Sequence, residues 1–182
     1  VKVLGIVCSP RRRGNTEILV EEALISAKEC GAEVELITMA GMSIAPCDGC
    51  ESCITTKKCR LDDDMQGIYP KLLEADGFIF GTPVYFWGVT AQAKALIDRT
   101  FVLREGRSLR NKVAGVVVVG RRAGATHAFS AFRNYFNLQR MPSPGGAIAY
   151  AHKKGDVRED SQGMAEARAL GKAVAQAIKN RL

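Results

Sequence analysis

Four cysteines fall close together in the chain: Cys47, Cys50, Cys53 and Cys59. The first three are spaced by two residues each, and the fourth follows five residues later. Thiolates at two-residue gaps, with a fourth close behind, can wrap a cubane corner by corner. This is the kind of spacing that holds a [4Fe–4S] cluster. Structural zinc more often takes two separated C-x2-C pairs, and a zinc site or free, redox-active thiols are the other readings of this run. Disulfides are disfavoured in a reducing compartment. Cys8, at the end of an apolar run, and Cys30, at the end of a helical pattern, read instead as inert core thiols.

Three further segments carry chemistry. Ser9-Pro10-Arg11-Arg12-Arg13-Gly14-Asn15-Thr16 gathers hydroxyls, guanidinium groups and a helix start. Free amides at a helix N-terminus and an Arg fork both favour a phosphate, although a solvent-facing Arg-rich turn would use the same residues. Neither G-x-G-x-x-G nor G-x-x-x-x-G-K-[ST] occurs, which points to a phosphate monoester rather than a pyrophosphate or a nucleoside triphosphate. Thr82-Pro83-Val84-Tyr85-Phe86-Trp87-Gly88 puts three aromatics in one loop, a slot for a flat ring or a hydrophobic cover. Gly120-Arg121-Arg122-Ala123-Gly124-Ala125-Thr126 combines close backbone approach with positive charge. A phosphate cradle, an aromatic slot and a Gly-rich loop together suit FMN.

These segments must be positioned by the elements before them. Strands are predicted over Val1–Cys8, Glu33–Met39, Gly77–Phe80, Val113–Val119 and Ala147–Tyr150. In the second, Val34, Leu36 and Ile37 take buried positions. Helices are predicted over Asn15–Cys30, capped by Asn15 or Thr16 and stopped at Gly31, and over Met65–Glu74. Further helices fall on Thr90–Arg99, capped by Thr90, on Thr126–Phe136 and on Ser161–Arg181. Residues 40–64 show no periodicity and read as a long functional loop. Strand–helix alternation implies an α/β fold: a doubly wound parallel sheet of five strands with right-handed crossovers. Such sheets bind ligands beyond the carboxyl ends of their strands, where the three loops lie.

The chain's 182 residues fit one domain, 1–182, with 40–64 as a loop insertion. No apolar run approaches the ~20 residues needed to span a bilayer, and the first charges follow rather than precede the apolar start, unlike a signal peptide. The expectation is a cytoplasmic protein without membrane association. The net charge is +7, but nine basic residues and one acid lie between Arg99 and Arg140, so that segment carries +8 and the rest −1. Cys47–Asp64 carries −2 before any thiolate is counted. A basic protein invites a nucleic-acid reading, but the basic segment includes a buried strand and no binding motif, so no nucleic acid is expected. The basic stretch is instead expected to face an acidic redox partner or a neighbouring copy's cysteine loop.

The cysteine run Cys47-Asp48-Gly49-Cys50-Glu51-Ser52-Cys53 with Cys59, the Ser9-to-Thr16 turn, and Thr82-Pro83-Val84-Tyr85-Phe86 leading into Ala91–Arg99 together resemble the iron–sulfur flavoproteins. These belong to the NADPH-dependent FMN reductase group of flavodoxin-like folds. The resemblance covers nearly the whole chain. It implies strand order 2-1-3-4-5, one FMN and one [4Fe–4S] cluster. It implies that Ser9, Arg11, Asn15 and Thr16 hold the phosphate, that Thr82, Pro83, Val84, Tyr85 and Phe86 line the ring, and that Arg121 and Gly124 form its third side. Cys47, Cys50, Cys53 and Cys59 would be the cluster ligands. It further implies a homo-oligomer, dimer or tetramer, a ferredoxin-like donor, NAD(P)H as a possible donor, and oxygen or peroxide as acceptor. An NAD(P)H-dependent flavin or quinone reductase with structural zinc or no metal, and a non-enzymatic electron carrier, are the competing expectations. His127 and His152 read as ordinary surface residues, and no side chain is given a catalytic role.

Overall fold

The computed structural model describes residues 1–181. Among them five strands, β1 (Lys2–Val7), β2 (Glu33–Thr38), β3 (Gly77–Pro83), β4 (Val113–Gly120) and β5 (Gly145–Tyr150), form one parallel sheet in the order β2-β1-β3-β4-β5. This is the flavodoxin-like order. Every neighbour pair is parallel, so all five carboxyl ends open on the same edge.

The central strands β1, β3 and β4 are buried on both faces because they are apolar at successive positions rather than alternate ones. Leu4 and Ile6 of β1 point to one face with Phe78 and Phe80 of β3, and Val3 and Val7 point to the other with Ile79. On the first face lie α3 (Met65–Glu74), α4 (Ala91–Arg99) and α6 (Ala125–Gln139). Phe80 packs on Phe132 and Phe136 of α6 with ring centroids 5.3 and 5.7 Å apart. Truncating such a ring to Ala costs about 3–5 kcal/mol. The second face carries α1 (Asn15–Glu29) and α7 (Ser161–Lys179).

The observed elements differ from the pattern in several places. Gly14, not Asn15 or Thr16, is the N-cap of α1, and no side chain caps that helix start. Gly31 does follow the helix with a left-handed φ of 82°. Strand β3 runs on to Pro83 because β4 continues beside it, pairing Pro83 with Val119. Helix α6 extends beyond Thr126–Phe136 at both ends. Residues 40–64 are not wholly irregular: α2 (Ser52–Thr56) forms a short helix that carries Cys53. A second short helix, α5 (Phe101–Arg104), follows α4 directly, and a 3-10 turn spans Asp156–Glu159. Thr90 caps α4 as expected, its Oγ1 accepting the Ala93 amide at 3.1 Å.

Candidate functional site

The turns after β1, β3, β4 and β5 converge on one cleft of about 230 Å³. The first turn contributes Ser9, Arg11, Gly14, Asn15 and Thr16; the second, Pro83, Val84 and Tyr85; the third, Gly120 and Arg121; the last, Ala151 and His152. Ser9 is buried, and its Oγ accepts the Arg11 amide at 3.2 Å, which folds the turn back toward the start of α1. With no side chain capping α1, its first amides and the positive end of its dipole stand beside Arg11.

Asn15 does more than border the cleft. Its Nδ2 donates to Lys153 O and its Oδ1 accepts the Gly155 amide, both at 2.7 Å. It therefore braces the loop that carries His152. Arg121 Nε donates to His152 Nδ1 at 3.2 Å, joining the turns after β4 and β5. His152 is exposed, as expected, but it lines this cleft, which its position in the sequence did not signal.

The aromatic loop behaves as two halves. Thr82 is fully buried behind the cleft: its Oγ1 donates to Pro83 O at 3.0 Å and accepts the Thr90 amide at 3.4 Å. Thr90 Oγ1 in turn donates to Cys8 O at 2.6 Å, which ties the ends of β1 and β3 together. Tyr85 and Gly88 exchange backbone hydrogen bonds at 3.0 Å around Phe86 and Trp87, whose φ values are 44° and 66°. Two left-handed residues inside a two-residue hairpin are the geometry usually given to Asn and Gly. Phe86 is fully exposed at its tip, while Trp87 sets its ring edge-on to His127 at 5.4 Å. Gly124, with φ of 85°, fits under this hairpin: a Cβ there would lie 2.9 Å from Trp87 Cα and 3.0 Å from Val84 Cγ1.

The four clustered cysteines border a second cleft, of about 430 Å³, at the ends of α4 and α6. All six cysteines carry free thiols among the described residues. Cys50 Sγ lies 3.2 Å from Ser52 Oγ, and Ser52 together with the Arg60 guanidinium draws this thiol below its ordinary range. Burial pushes the Cys53 thiol up, and the charges of Cys59, Cys50 and Cys47 add to that. Among the described residues no group of three or more His, Cys, Asp or Glu side chains is gathered tightly enough to hold a metal ion in this conformation. The donor set nevertheless fits a thiolate-ligated group: four unpaired thiols on one wall, with Arg60, Arg99 and Arg104 beside them. Cys8, by contrast, is fully buried, and burial pushes its thiol up.

The neck of the cysteine loop is closed by Asp63 and Arg99. Burial opposes ionisation of Asp63, but the Arg99 guanidinium and the Ala45 and Met65 amides outweigh it and hold the carboxyl below its usual range. Burial likewise opposes the charge of Arg99, and Asp63, Tyr69 and Cys59 outweigh it, raising the guanidinium further.

The basic stretch is divided rather than continuous. Arg99 is buried against Asp63 and adds nothing to the surface. Arg104 lines the cysteine cleft, with Arg107 and Arg110 exposed after it. Arg121 belongs to the first cleft. Lys57 pairs with Glu105, and Arg60 with Asp48, so the cysteine loop is already stitched to the basic segment and to itself. Among the described residues no helix is long and apolar enough to cross a membrane.

A flavodoxin-like sheet whose carboxyl edge gathers an Arg-bearing turn at a helix start, an aromatic loop and a second Arg-bearing loop has its cleft where open parallel sheets bind ligands. The sequence pattern of NADPH-dependent FMN reductases matches residues 1–156. An iron-sulfur flavoprotein of Methanocaldococcus jannaschii is 43% identical over 189 aligned residues, covering 98% of each chain. An iron-sulfur flavoprotein of Methanosarcina thermophila is 37% identical, covering 78% of this chain and 75% of its own. Among solved structures, RosB with bound 8-demethyl-8-formylriboflavin-5'-phosphate shares the fold with a TM-score of 0.81, at 19% identity, over 99% of this chain and 79% of that one. A flavodoxin from the domain Archaea shares it with a TM-score of 0.66 at 13% identity, over 98% and 99%. The chain belongs to the NADPH-dependent FMN reductase family and, within it, to the iron–sulfur flavoproteins.

Proposed function

We propose that this oxidoreductase holds FMN in the cleft at the sheet's carboxyl edge and a [4Fe–4S] cluster on Cys47, Cys50, Cys53 and Cys59, and moves electrons from a ferredoxin-like donor to a small acceptor such as oxygen or peroxide. The observation that carries this reading is the pair of clefts on one chain. One is lined by Arg11, the start of α1 and Tyr85, groups that suit a phosphate and a flat ring, and the other is bordered by four free thiols. The names of the iron–sulfur relatives support the cluster assignment.

In this reading Arg11, Ser9 and Thr16 take the phosphate together with the amides that begin α1. Asn15 contributes chiefly by bracing the loop of residues 151–157. Val84, Tyr85 and Pro83 line the ring, Thr82 supports them from behind, and Phe86 sits at the hairpin tip. Arg121 and Gly124 close the third side, with His152 held by Arg121. When bound, FMN releases two electrons singly or in pairs while the cluster passes one at a time, so together they couple one-electron input to two-electron output. The chain's own groups bind and orient. No nucleophile is required, and none is assigned. The protein is expected to act in the cytoplasm, as one domain with residues 40–64 as its cluster-binding insertion, and as a homodimer or homotetramer.

The family's description as NADPH-dependent favours a second reading, in which NAD(P)H reduces the flavin directly and the cysteines serve only structure or hold zinc. Anaerobic donor assays separate the two. Reduced ferredoxin is expected to reduce the flavin, and added oxygen or peroxide to reoxidise it with turnover. Flavin reduction by NADPH but not by ferredoxin would support the second reading instead. Reduction by ferredoxin without turnover of any acceptor would make the protein a carrier.

A further inference from the structure

The most deeply buried charge in the molecule stands at the cysteine cleft. Arg99, the last residue of α4, is 2% exposed. Its Nη1 donates to Ala45 O at 2.9 Å and to Asp63 Oδ2 at 2.6 Å. Its Nη2 donates to Asp63 Oδ1 at 3.0 Å and to Leu61 O at 3.3 Å. Ala45 lies two residues before Cys47, and Leu61 two residues after Cys59. One guanidinium therefore grips both stems of the cysteine loop. Asp63 adds to the grip by accepting the Ala45 and Met65 amides at 2.9 and 3.0 Å. The Tyr69 hydroxyl donates to Arg99 O at 3.0 Å and fixes the clamp to α3.

Four of the guanidinium's donor contacts serve the stems. The remaining donor, Nε–H, is buried and has no partner. Arg99 lines the same cleft as the four thiols. A buried charge is tolerated when it is paired, and a buried N–H without an acceptor is an exception that calls for an explanation. Thiolate and sulfide sulfurs are acceptors, and hydrogen bonds to them set cluster potentials.

We propose that Arg99 is the positioning residue of the cysteine site: its fork with Asp63 holds the two loop stems together, and its spare Nε–H is the donor to a sulfur of the loaded loop. This rests on the cluster reading proposed above. The fork presets the span between the first and last cysteines. The Nε–H favours the reduced, more negative form of the bound group.

The test compares the wild type, Arg99→Lys and Asp63→Asn, all purified anaerobically. Lysine keeps the charge but has neither the fork nor an Nε–H beside it. Iron and acid-labile sulfide, the rate of cluster loss to a chelator and the midpoint potential are measured, with FMN content and thermal unfolding as fold controls. R99K is expected to keep FMN, to lose its cluster roughly tenfold faster and to show a more negative potential. D63N is expected to lose its cluster faster with a smaller change in potential, since its Nε–H stays in place. It also carries the test if R99K fails to fold. In metal-free protein, limited proteolysis should cut within residues 46–60 faster in both variants. A wild type with iron and sulfide, and variants with the same lifetime and potential, would overturn this inference alone. A wild type without iron or sulfide would overturn the cluster reading and this inference with it.

Discussion

Asn15 Oδ1 accepts the backbone N–H of Gly155 at 2.7 Å, a bond between residues 140 positions apart. With the Nδ2 bond to Lys153 O, one amide side chain at the start of α1 holds the loop after β5 in place. Asn15→Ala removes both, together with the longer bond that its Oδ1 accepts from the Val157 amide at 3.5 Å, and leaves three backbone groups to find water. It should cost about 1–3 kcal/mol of stability in a denaturant titration. Asn15→Asp keeps the acceptor, loses the donor, and should fall between. A wild-type midpoint for Asn15→Ala would show that the loop holds itself.

Arg11 is the one guanidinium of its turn that lines the first cleft. Arg11→Gln should raise the Kd for FMN roughly 10- to 100-fold, the range of a charge-assisted hydrogen bond. Riboflavin, which lacks the phosphate, should bind both proteins alike. Fluorescence quenching of the two flavins measures this. Equal weakening of both would move Arg11 from the phosphate to the ring.

Gly124 is held in a left-handed conformation beneath the Tyr85–Gly88 hairpin. In Gly124→Ala the new Cβ meets backbone at Trp87 and cannot be relieved by a side-chain rotation. The substitution should cost about 1–3 kcal/mol from strain and overpacking together. It should also weaken FMN while leaving the cysteine cleft unchanged, which the thiol reactivity described next would register.

Cys50 and Cys53 are pushed in opposite directions, the first down by Ser52 and Arg60, the second up by burial. In metal-free protein, alkylation followed by mass spectrometry should label Cys50 first. Its rate should rise with pH through a midpoint below the ordinary thiol value of about 8.5, because the thiolate is the reacting form. Ser52→Ala should move that midpoint upward. Cys53 should lag at every pH below its own raised value.

Arg104 lines the cysteine cleft, and Arg107 and Arg110 are exposed after it in the chain. Reversing all three to Glu should slow electron delivery from an acidic donor, or loosen the oligomer, most clearly at low salt where screening is weakest. Unchanged kinetics and assembly at low ionic strength would remove the basic segment from partner recognition.

The placement of strands and helices and the converging turns were legible because each rests on local patterning, whereas the strand order followed from the resemblance to the iron–sulfur flavoproteins. Val113–Val119 can only be a buried strand, and Thr90 caps α4 by an ordinary short-range bond. Most of the errors share one cause, the long-range contact. Asn15 looks like an N-cap by type and position, yet its side chain is taken by a loop at the far end of the chain. Arg99 counts as surface charge in any tally of the segment, yet it is buried, because its carboxylate partner lies 36 residues earlier. Phe86 and Trp87 carry no mark of a left-handed hairpin, since their types argue against one. His152 had no neighbouring signal at all. Its role in the cleft exists only because β4 and β5 are adjacent and Arg121 reaches it.

The central claim is that one chain carries both a flavin and a cluster. Chemical analysis of anaerobically purified protein tests it most directly, with FMN, iron, acid-labile sulfide and zinc measured per chain. The account predicts about one FMN, with iron and sulfide in equal amounts near four of each, and their loss on replacing Cys50 by Ser. Zinc without sulfide, or FMN with neither, would contradict it.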